Sequence, residues 1–332
     1  MRVRATHMRH GAARRAAALA AACCTIAGGA EAQTGAAPRD ALRDTVAGAR
    51  LGAGYAQMIN LSAAPDISAA NYRIGPDQPG GSTGRLDVFR LPLQRRWMAL
   101  TPDADLYWRA AGGYLQLRDE LTLAAPQSGV IRSRWQAYSA SAGVLASVRM
   151  GQGFALEPAL DVGLARLDNH ASFDGDAQPL RPLLDGLLFN WHTDAYLVTP
   201  SLGLQWNALA AGGRTSVHAR LAHTWITSFG ETDPVQSFRE TASLYSLRGE
   251  FVRSTGLHLA GRPLDWLAFG GVAGFFGANR HALGFDTVAE LGGGFEVPLS
   301  LSPGQPARAR VSGSYLRGDN VRGWSIGISL PF

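Results

Sequence analysis

The sequence predicts an all-β fold, a twelve-stranded antiparallel transmembrane β-barrel over residues 51–332. Three observations carry this expectation. Apolar side chains recur at every second position from about residue 51 to the end. The connections between these segments alternate between short and long. The chain closes on "VRGWSIGISLPF", in which Trp324, Ile326, Ile328, Leu330 and Phe332 share one face and small residues hold the other.

The elements follow in chain order. Arg2, Arg4, Arg9, Arg14 and Arg15 precede a short Ala-rich apolar run that ends in "AEA" before Gln33. A positive head, a short apolar stretch and a small-x-small site describe a secretory signal peptide over residues 1–32. A lipidated Cys23 or Cys24 is the rival reading, but Ala20 and Ala21 stand where such a signal carries a bulky aliphatic residue. The leader also explains the charge. The formal +5 comes from 31 basic and 26 acidic residues; without the five leader arginines and Glu31, 26 face 25. A net of +1 gives no reason to expect a nucleic-acid partner. Both cysteines leave with the leader, so no disulfide or thiolate is expected in the mature chain. All the basic residues are arginine, which reflects base composition.

Residues 33–50 form a short segment before the first expected strand. "PRDALRDTVAGAR" sets Pro38 at a helix start with Leu42 and Val46 four apart. That pattern suits a short helix in or below the pore, and an unstructured periplasmic tail is the alternative.

Strands are expected near 51–62, 84–100, 104–118, 131–149, 153–168, 191–208, 214–227, 239–254, 258–277, 283–300, 307–317 and 321–332. Most exceed the ~9–11 residues a tilted strand needs to cross a membrane. Within 104–118, Trp108 and Tyr114 share a face while Leu115 and Leu117 take the other, as a bulge would produce. The connections "TPDA", "GQG", "LAAGG", "STG" and "SPGQP" are short, whereas "APDISAANYRIGPDQPGGSTG" and "LDNHASFDGDAQPLRPLLDGLLFN" are long and polar. Short turns belong on the periplasmic side of such a barrel. Trp97, Trp108 and Trp206 then fall at periplasmic strand ends, and Trp135, Trp191, Trp225 and Trp324 at outer ends, as two membrane girdles would require. Trp266 is left over.

Two stretches carry a resemblance. "GFALEPALDVGLARLDNHASF" and the closing "GWSIGISLPF" resemble the β-barrel translocator domain of autotransporters. The resemblance implies a twelve-stranded barrel, a helix threading the pore and an N-terminal passenger carried outside. Only residues 33–50 separate the cleavage site from the first expected strand, too few for a passenger, so the chain resembles the solitary autotransporter-like barrels. A C-terminal aromatic, Phe332, resembles the signal read by the barrel-assembly machinery. The expected setting is the outer membrane of a Gram-negative bacterium, as a monomer among outer-membrane lipids.

Charged residues fall on the expected inward face: Arg90, Arg96, Glu157, Asp161, His218, Arg220, Arg248, Glu250, Asp286, Glu290 and Glu296. They would line a pore with opposed fields, or lock together as an interior salt-bridge lattice that fills the barrel or grips a plug. The expected function is that of a non-enzymatic pore, scaffold or surface-exposed protein. The enzymatic alternative is an outer-membrane phospholipase-like hydrolase using His170 and Ser172, two apart on one strand face. It lacks the longer motif of that family, and Asn190 is a poorly placed orienting residue. A secreted soluble β-sandwich is the third reading. The remaining histidines show no metal-binding spacing, and no cofactor is expected.

Overall fold

The computed structural model describes residues 36–48, 51–63, 70–75, 84–123, 128–302 and 305–329. The expected leader and Phe332 lie outside these residues. Among the described residues two helices, α1 (Ala36–Gly48) and α2 (Gly52–Ala63), precede twelve strands. The strands are β1 (Asn71–Ile74), β2 (Gly84–Thr101), β3 (Ala104–Thr122), β4 (Gly129–Gly151), β5 (Phe154–Gly175), β6 (Trp191–Ala210), β7 (Gly213–Phe229), β8 (Arg239–Leu259), β9 (Arg262–Phe276), β10 (Thr287–Ser302), β11 (Gln305–Gly318) and β12 (Val321–Ser329). Each pairs antiparallel with its sequence neighbour, and β1 joins β12 to β2, so the sheet closes into a barrel. Between neighbouring long strands the peptide groups are bonded to one another, as a hydrocarbon environment demands, and at the seam the ladders span Asn71–Ile74.

The first expected strand is corrected: residues 52–63 are helix, not strand. The twelfth strand is instead β1, four residues inside what reads as a long loop. Its ladders run only from Asn71 to Ile74 on both sides, with Val88 N–H donating to the Ala70 carbonyl at 2.9 Å just below. A second correction concerns "STG". The chain passes it within β8, where register shifts between Ser254 and His258, and turns at Ala260–Gly261. Ala260 and Gly261 both take positive φ, as do Ala211 and Gly212 in the β6–β7 turn. Positive φ at both central residues gives the hairpin twist that matches right-handed strands.

The outer wall obeys the alternation. Val162 and Leu164 on β5, Tyr196 and Leu202 on β6, Leu221 on β7, Leu291 on β10 and Ile326 on β12 are all exposed on the outside. Leu115 and Leu117 need no bulge, because β3 pairs with β4 in unbroken register from Ala104 to Thr122. Both point inward, and Leu115 is fully buried against the plug described below. The bulge lies on β2 instead, between Arg96 and Met98.

The two ends of the barrel differ. One carries short turns; the other carries the longer β5–β6, β7–β8 and β9–β10 connections. At the long-loop end, a 3-10 turn and a helical turn, α3 (Arg181–Leu184), fold over the rim with Leu184, Leu187 and Phe189 buried. Helix α1 docks on this cap. Its Leu42 and Val46, one helical turn apart, enter the same cluster as Phe173 and Leu187. Arg39 donates to the carbonyls of Pro182 at 2.8 Å and Asp185 at 2.9 Å. The helix expected in or below the pore therefore lies on the long-loop rim, and its successor α2 enters the lumen.

Candidate functional site

Helix α2 descends from the loop cap to about mid-height in the barrel. Eight successive residues, Tyr55 to Ser62, are buried. A helix apolar or buried on every side has no exposed stripe to read, and here the barrel wall surrounds it. Tyr55 sits in an aromatic cage: its ring centroid lies 4.8 Å from Trp191, 5.5 Å from Trp135 and 6.0 Å from Phe238. Ile59 and Leu61 pack with Leu86, Leu115, Leu167, Ile226 and Leu244 of the wall.

Polar contacts set the height of the helix. Thr224 Oγ1 donates to Asn60 Oδ1 at 3.0 Å, and Gln57 Nε2 donates to the Asn279 carbonyl at 3.1 Å. Arg90 donates to the carbonyls of Leu61 and Ser62 at the helix C-terminus. A guanidinium at that end satisfies carbonyls that have no partner within the helix and suits the negative pole of its dipole. Gly113 makes the close approach possible, since a Cβ there would collide with the Ser62 carbonyl oxygen.

Beneath the plug is a cavity of about 560 Å³. Arg109 Nε donates to Asp161 at 2.6 Å, and Arg220 approaches the same carboxylate at 3.7 Å. His218 Nε2 lies 3.2 Å from Glu157, and Arg248 donates to Glu290 at 3.0 Å while its guanidinium sits 3.9 Å above the Phe269 ring. Nearer the short-turn end, Glu296 is enclosed by Arg214, Arg308 and Arg310, the last at 2.8 Å. Arg310 also grips Glu250 through two bonds of 2.8 Å, and Arg308 approaches Asp265 at 3.4 Å. Arg96 donates to Asp105, which also accepts from Arg149.

Ten of the eleven expected inward charges point into the barrel: Arg90 bonds the carbonyls of α2, and the others carry partners across the strands. The exception is Asp286, which precedes β10 in the loop and lies 3.4 Å from His281. The strand was expected to start at 283 and starts at Thr287, so Asp286 is at the rim. Arg109, Asp105, Arg214, Asp265, Arg308 and Arg310 join the inward set without having been singled out. Their signal was present, because Arg308 and Arg310 alternate against the outward Val311.

The tryptophans divide. Trp97, Trp108, Trp225 and Trp324 are exposed on the outer wall, and Trp206 lies outward beside Phe154. Trp135 and Trp191 are corrected: they face the lumen, meet edge to face at 5.4 Å and contact Tyr55. Strand-end position cannot distinguish the two faces, but parity can. Trp191 is out of step with Tyr196, Val198 and Leu202 on β6. Trp266, whose ring lies 5.4 Å from that of Phe251 on the diagonal, falls at the short-turn end once the β8–β9 turn is placed correctly.

His170 and Ser172 are exposed on the outer face of β5, paired across the ladder with Arg134 and Arg132. No hydrogen bond joins them among the described residues. Asn190 is engaged elsewhere: its side chain bonds the backbone of Ala171 in both directions and donates to Asp185 at 2.6 Å. Among the described residues no group of three or more His, Cys, Asp or Glu side chains is assembled for a metal.

The family comparison agrees with this architecture. The family model described as "Solitary outer membrane autotransporter beta-barrel domain" matches residues 70–254. The chain is similar to the β domain of the Bordetella autotransporter BrkA at 14% identity, covering 79% of this chain and 96% of that one with a TM-score of 0.45. It is similar to the transport unit of AIDA-I from Escherichia coli at 13% identity, covering 85% and 99%, with a TM-score of 0.47. The translocator domain of NalP from Neisseria meningitidis shows 12% identity, 79% and 85% coverage, and a TM-score of 0.46. No curated protein matches the chain.

Proposed function

Because the chain belongs to the solitary outer-membrane autotransporter β-barrel family, we propose that it is a non-enzymatic, helix-plugged barrel that displays α1 and its long loops at the cell surface. Its setting is the outer membrane of a Gram-negative bacterium. The single observation that carries the proposal is the continuous burial of Tyr55–Ser62 within the lumen. A lumen filled by packed side chains for a span of ~12 Å, the rise of eight helical residues, leaves no continuous water path. The cross-strand ion pairs below it serve as an interior lattice that holds the wall and the plug rather than as a selectivity field.

The orientation follows from loop length. Outer-membrane barrels keep short turns in the periplasm and longer loops outside. Helix α1 then lies on the outer rim, and α2 enters from outside. The barrel acts in this reading as a scaffold, with lipid as its surrounding partner and assembly by the barrel-assembly machinery as a monomer. The hydrolase reading has less support, because His170 and Ser172 lack the hydrogen bond and the orienting group a Ser nucleophile requires.

Two measurements test this together. In planar bilayers the full chain should be electrically silent, and a variant lacking residues 36–63 should conduct. A tag placed ahead of Ala36 should be labelled on intact cells. Steady conductance from the full chain would overturn the plug, and labelling only after membrane disruption would reverse the orientation.

A further inference from the structure

The register of the closing strands places six arginines in one unbroken cross-strand row. Arg317 of β11 pairs with Arg322 of β12, and Arg322 with Arg73 of β1. Arg73 then pairs with Arg85 of β2, Arg85 with Arg118 of β3, and Arg118 with Arg134 of β4. All six side chains are exposed on the outer wall. His170 on β5 continues the row opposite Arg134. With strands ~4.8 Å apart, the six arginines cover roughly 24 Å of circumference.

Like charges directly opposite one another in a ladder are unfavourable, and here five such pairs adjoin. Arg118 finds partial relief 3.8 Å from Asp87. Among the described residues, no ion pair is made by Arg73, Arg85, Arg134 or Arg317. The neighbouring Arg132 and Arg166, off the row, do have carboxylates: Asp174 and Glu120 for the first, Asp168 and Asp194 for the second. The row is therefore a built concentration of positive charge in excess of the carboxylates set beside it.

Its height says what balances that excess. Arg118 follows Trp108 by ten residues on β3. At ~3.3 Å per residue and a tilt near 40°, the separation along the membrane normal is about 25 Å, the height of the apolar band of outer-membrane barrels. Aromatic rings lie within two pleats below the row: Tyr315, Trp324, and the pair Tyr114 and Tyr138 with centroids 5.1 Å apart. Rings of this kind mark the headgroup boundary. The arginines stand at the level where lipid phosphates lie.

We propose that this row is a docking site for a phosphorylated glycolipid of the outer leaflet, bearing two or more phosphates on one headgroup. Guanidinium forks bind phosphate oxygens in pairs, and a single headgroup with several phosphates neutralises a run of adjacent forks. A monoanionic headgroup does so at one position only. The row crosses the seam at Arg73, on the four-residue strand that closes the barrel, so the bound lipid also removes the repulsion acting on that closure. The site goes beyond the plugged-barrel reading. It uses that reading's orientation only to name the leaflet.

The test uses the full chain in phosphatidylcholine nanodiscs, titrated with bisphosphorylated lipid A. Both leaflets are then open to the probe, so an error of orientation would not hide binding. Saturable binding is expected, together with a rise in the temperature at which the folded barrel loses its compact migration on gels. Arg85→Gln with Arg118→Gln should weaken lipid A binding at least tenfold. The charge-matched control Arg132→Gln with Arg166→Gln should bind as the unaltered chain does. Arg134→Gln, two strands from β2, should weaken binding about threefold and serves if the double variant does not fold. Lipid A stripped of phosphates should bind at least tenfold more weakly, and inorganic pyrophosphate should not compete. Absence of saturable binding, equal affinity for the row and control variants, equal affinity for phosphate-free lipid A or for phosphatidylglycerol, or competition by pyrophosphate would each overturn the proposal.

Discussion

The Arg43 guanidinium of α1 donates to the Asp233 carboxylate at 2.6 Å, joining the first helix to the β7–β8 loop across 190 positions of sequence. Asp233 also accepts from Val235 N–H at 3.0 Å and caps the short helical turn that Gln236 closes in return. Gln236 in turn donates to the carbonyls of Gly186 and Leu187, so Asp233 and Gln236 together tie α1, the β7–β8 loop and the β5–β6 cap. Asp233→Asn should release α1, read as a several-fold faster protease cleavage within residues 36–50 while the barrel stays intact.

The same contact makes the release acid-sensitive. Burial raises the Asp233 carboxyl, but the Arg43 guanidinium and the Val235 N–H outweigh it and hold the group below its ordinary 3.8. A depressed carboxylate contributes its stabilisation above the ordinary value and loses it as pH falls through the lower, folded one. Cleavage near α1 should therefore be equally slow at pH 7 and pH 5 and should accelerate only below about pH 4.

Tyr55 fastens the plug through its ring. Truncating a buried aromatic of this size costs about 3–5 kcal/mol. Tyr55→Ala should lower stability in urea by that order and bring intermittent conductance, whereas Tyr55→Phe, which keeps the ring, should change stability by about 1 kcal/mol or less.

The barrel was legible because its physics is local: Leu202, Leu291 and Ile326 face lipid, and their neighbours along the chain do not. What sequence did not reveal depends on what surrounds a segment. "LGAGYAQMINLS" puts Tyr55, Gln57, Ile59 and Leu61 at alternate positions, which reads as strand. The segment is helix, but its period is unreadable because a wall on every side removes the contrast that period 3.6 needs. β1 was hidden for the opposite reason, since four residues are too few for any period to register.

The site was legible in part. The inward charges could be read because carboxylates and guanidinium groups alternate with lipid-facing bulk along Glu157–Asp161 and Glu290–Glu296. Which charge meets which could not, because Arg109 reaches Asp161 across two strand boundaries and 52 positions. The arginine row was invisible for the same reason. It exists only once six strands are placed in register.

Gly113 is required by the plug rather than by its own backbone. A branched side chain there would collide with the Ser62 carbonyl. Gly113→Val should push the lower end of α2 away from β3, reduce stability by about 1–3 kcal/mol and raise the frequency of channel openings.

Glu296 is the acceptor shared by three arginines, and its side chain is fully enclosed. Replacing it removes the charge that Arg214, Arg308 and Arg310 share, leaving them Asp265 and Glu250. Glu296→Gln should cost about 2–3 kcal/mol, seen as an earlier loss of compact migration on heating, with little effect on α1 cleavage.

The central claim is that α2 occupies the lumen, and the contact of Asn60 with Thr224 tests it most directly. The sequence has only Cys23 and Cys24, both within the expected leader, so a pair of new thiols reports cleanly. With Asn60→Cys and Thr224→Cys in the membrane-inserted chain, a short thiol-reactive crosslinker should join helix to wall in nearly every molecule, and the thiol on α2 should be shielded from bulky aqueous maleimides. Failure to crosslink, with position 60 freely labelled from water, would contradict the account.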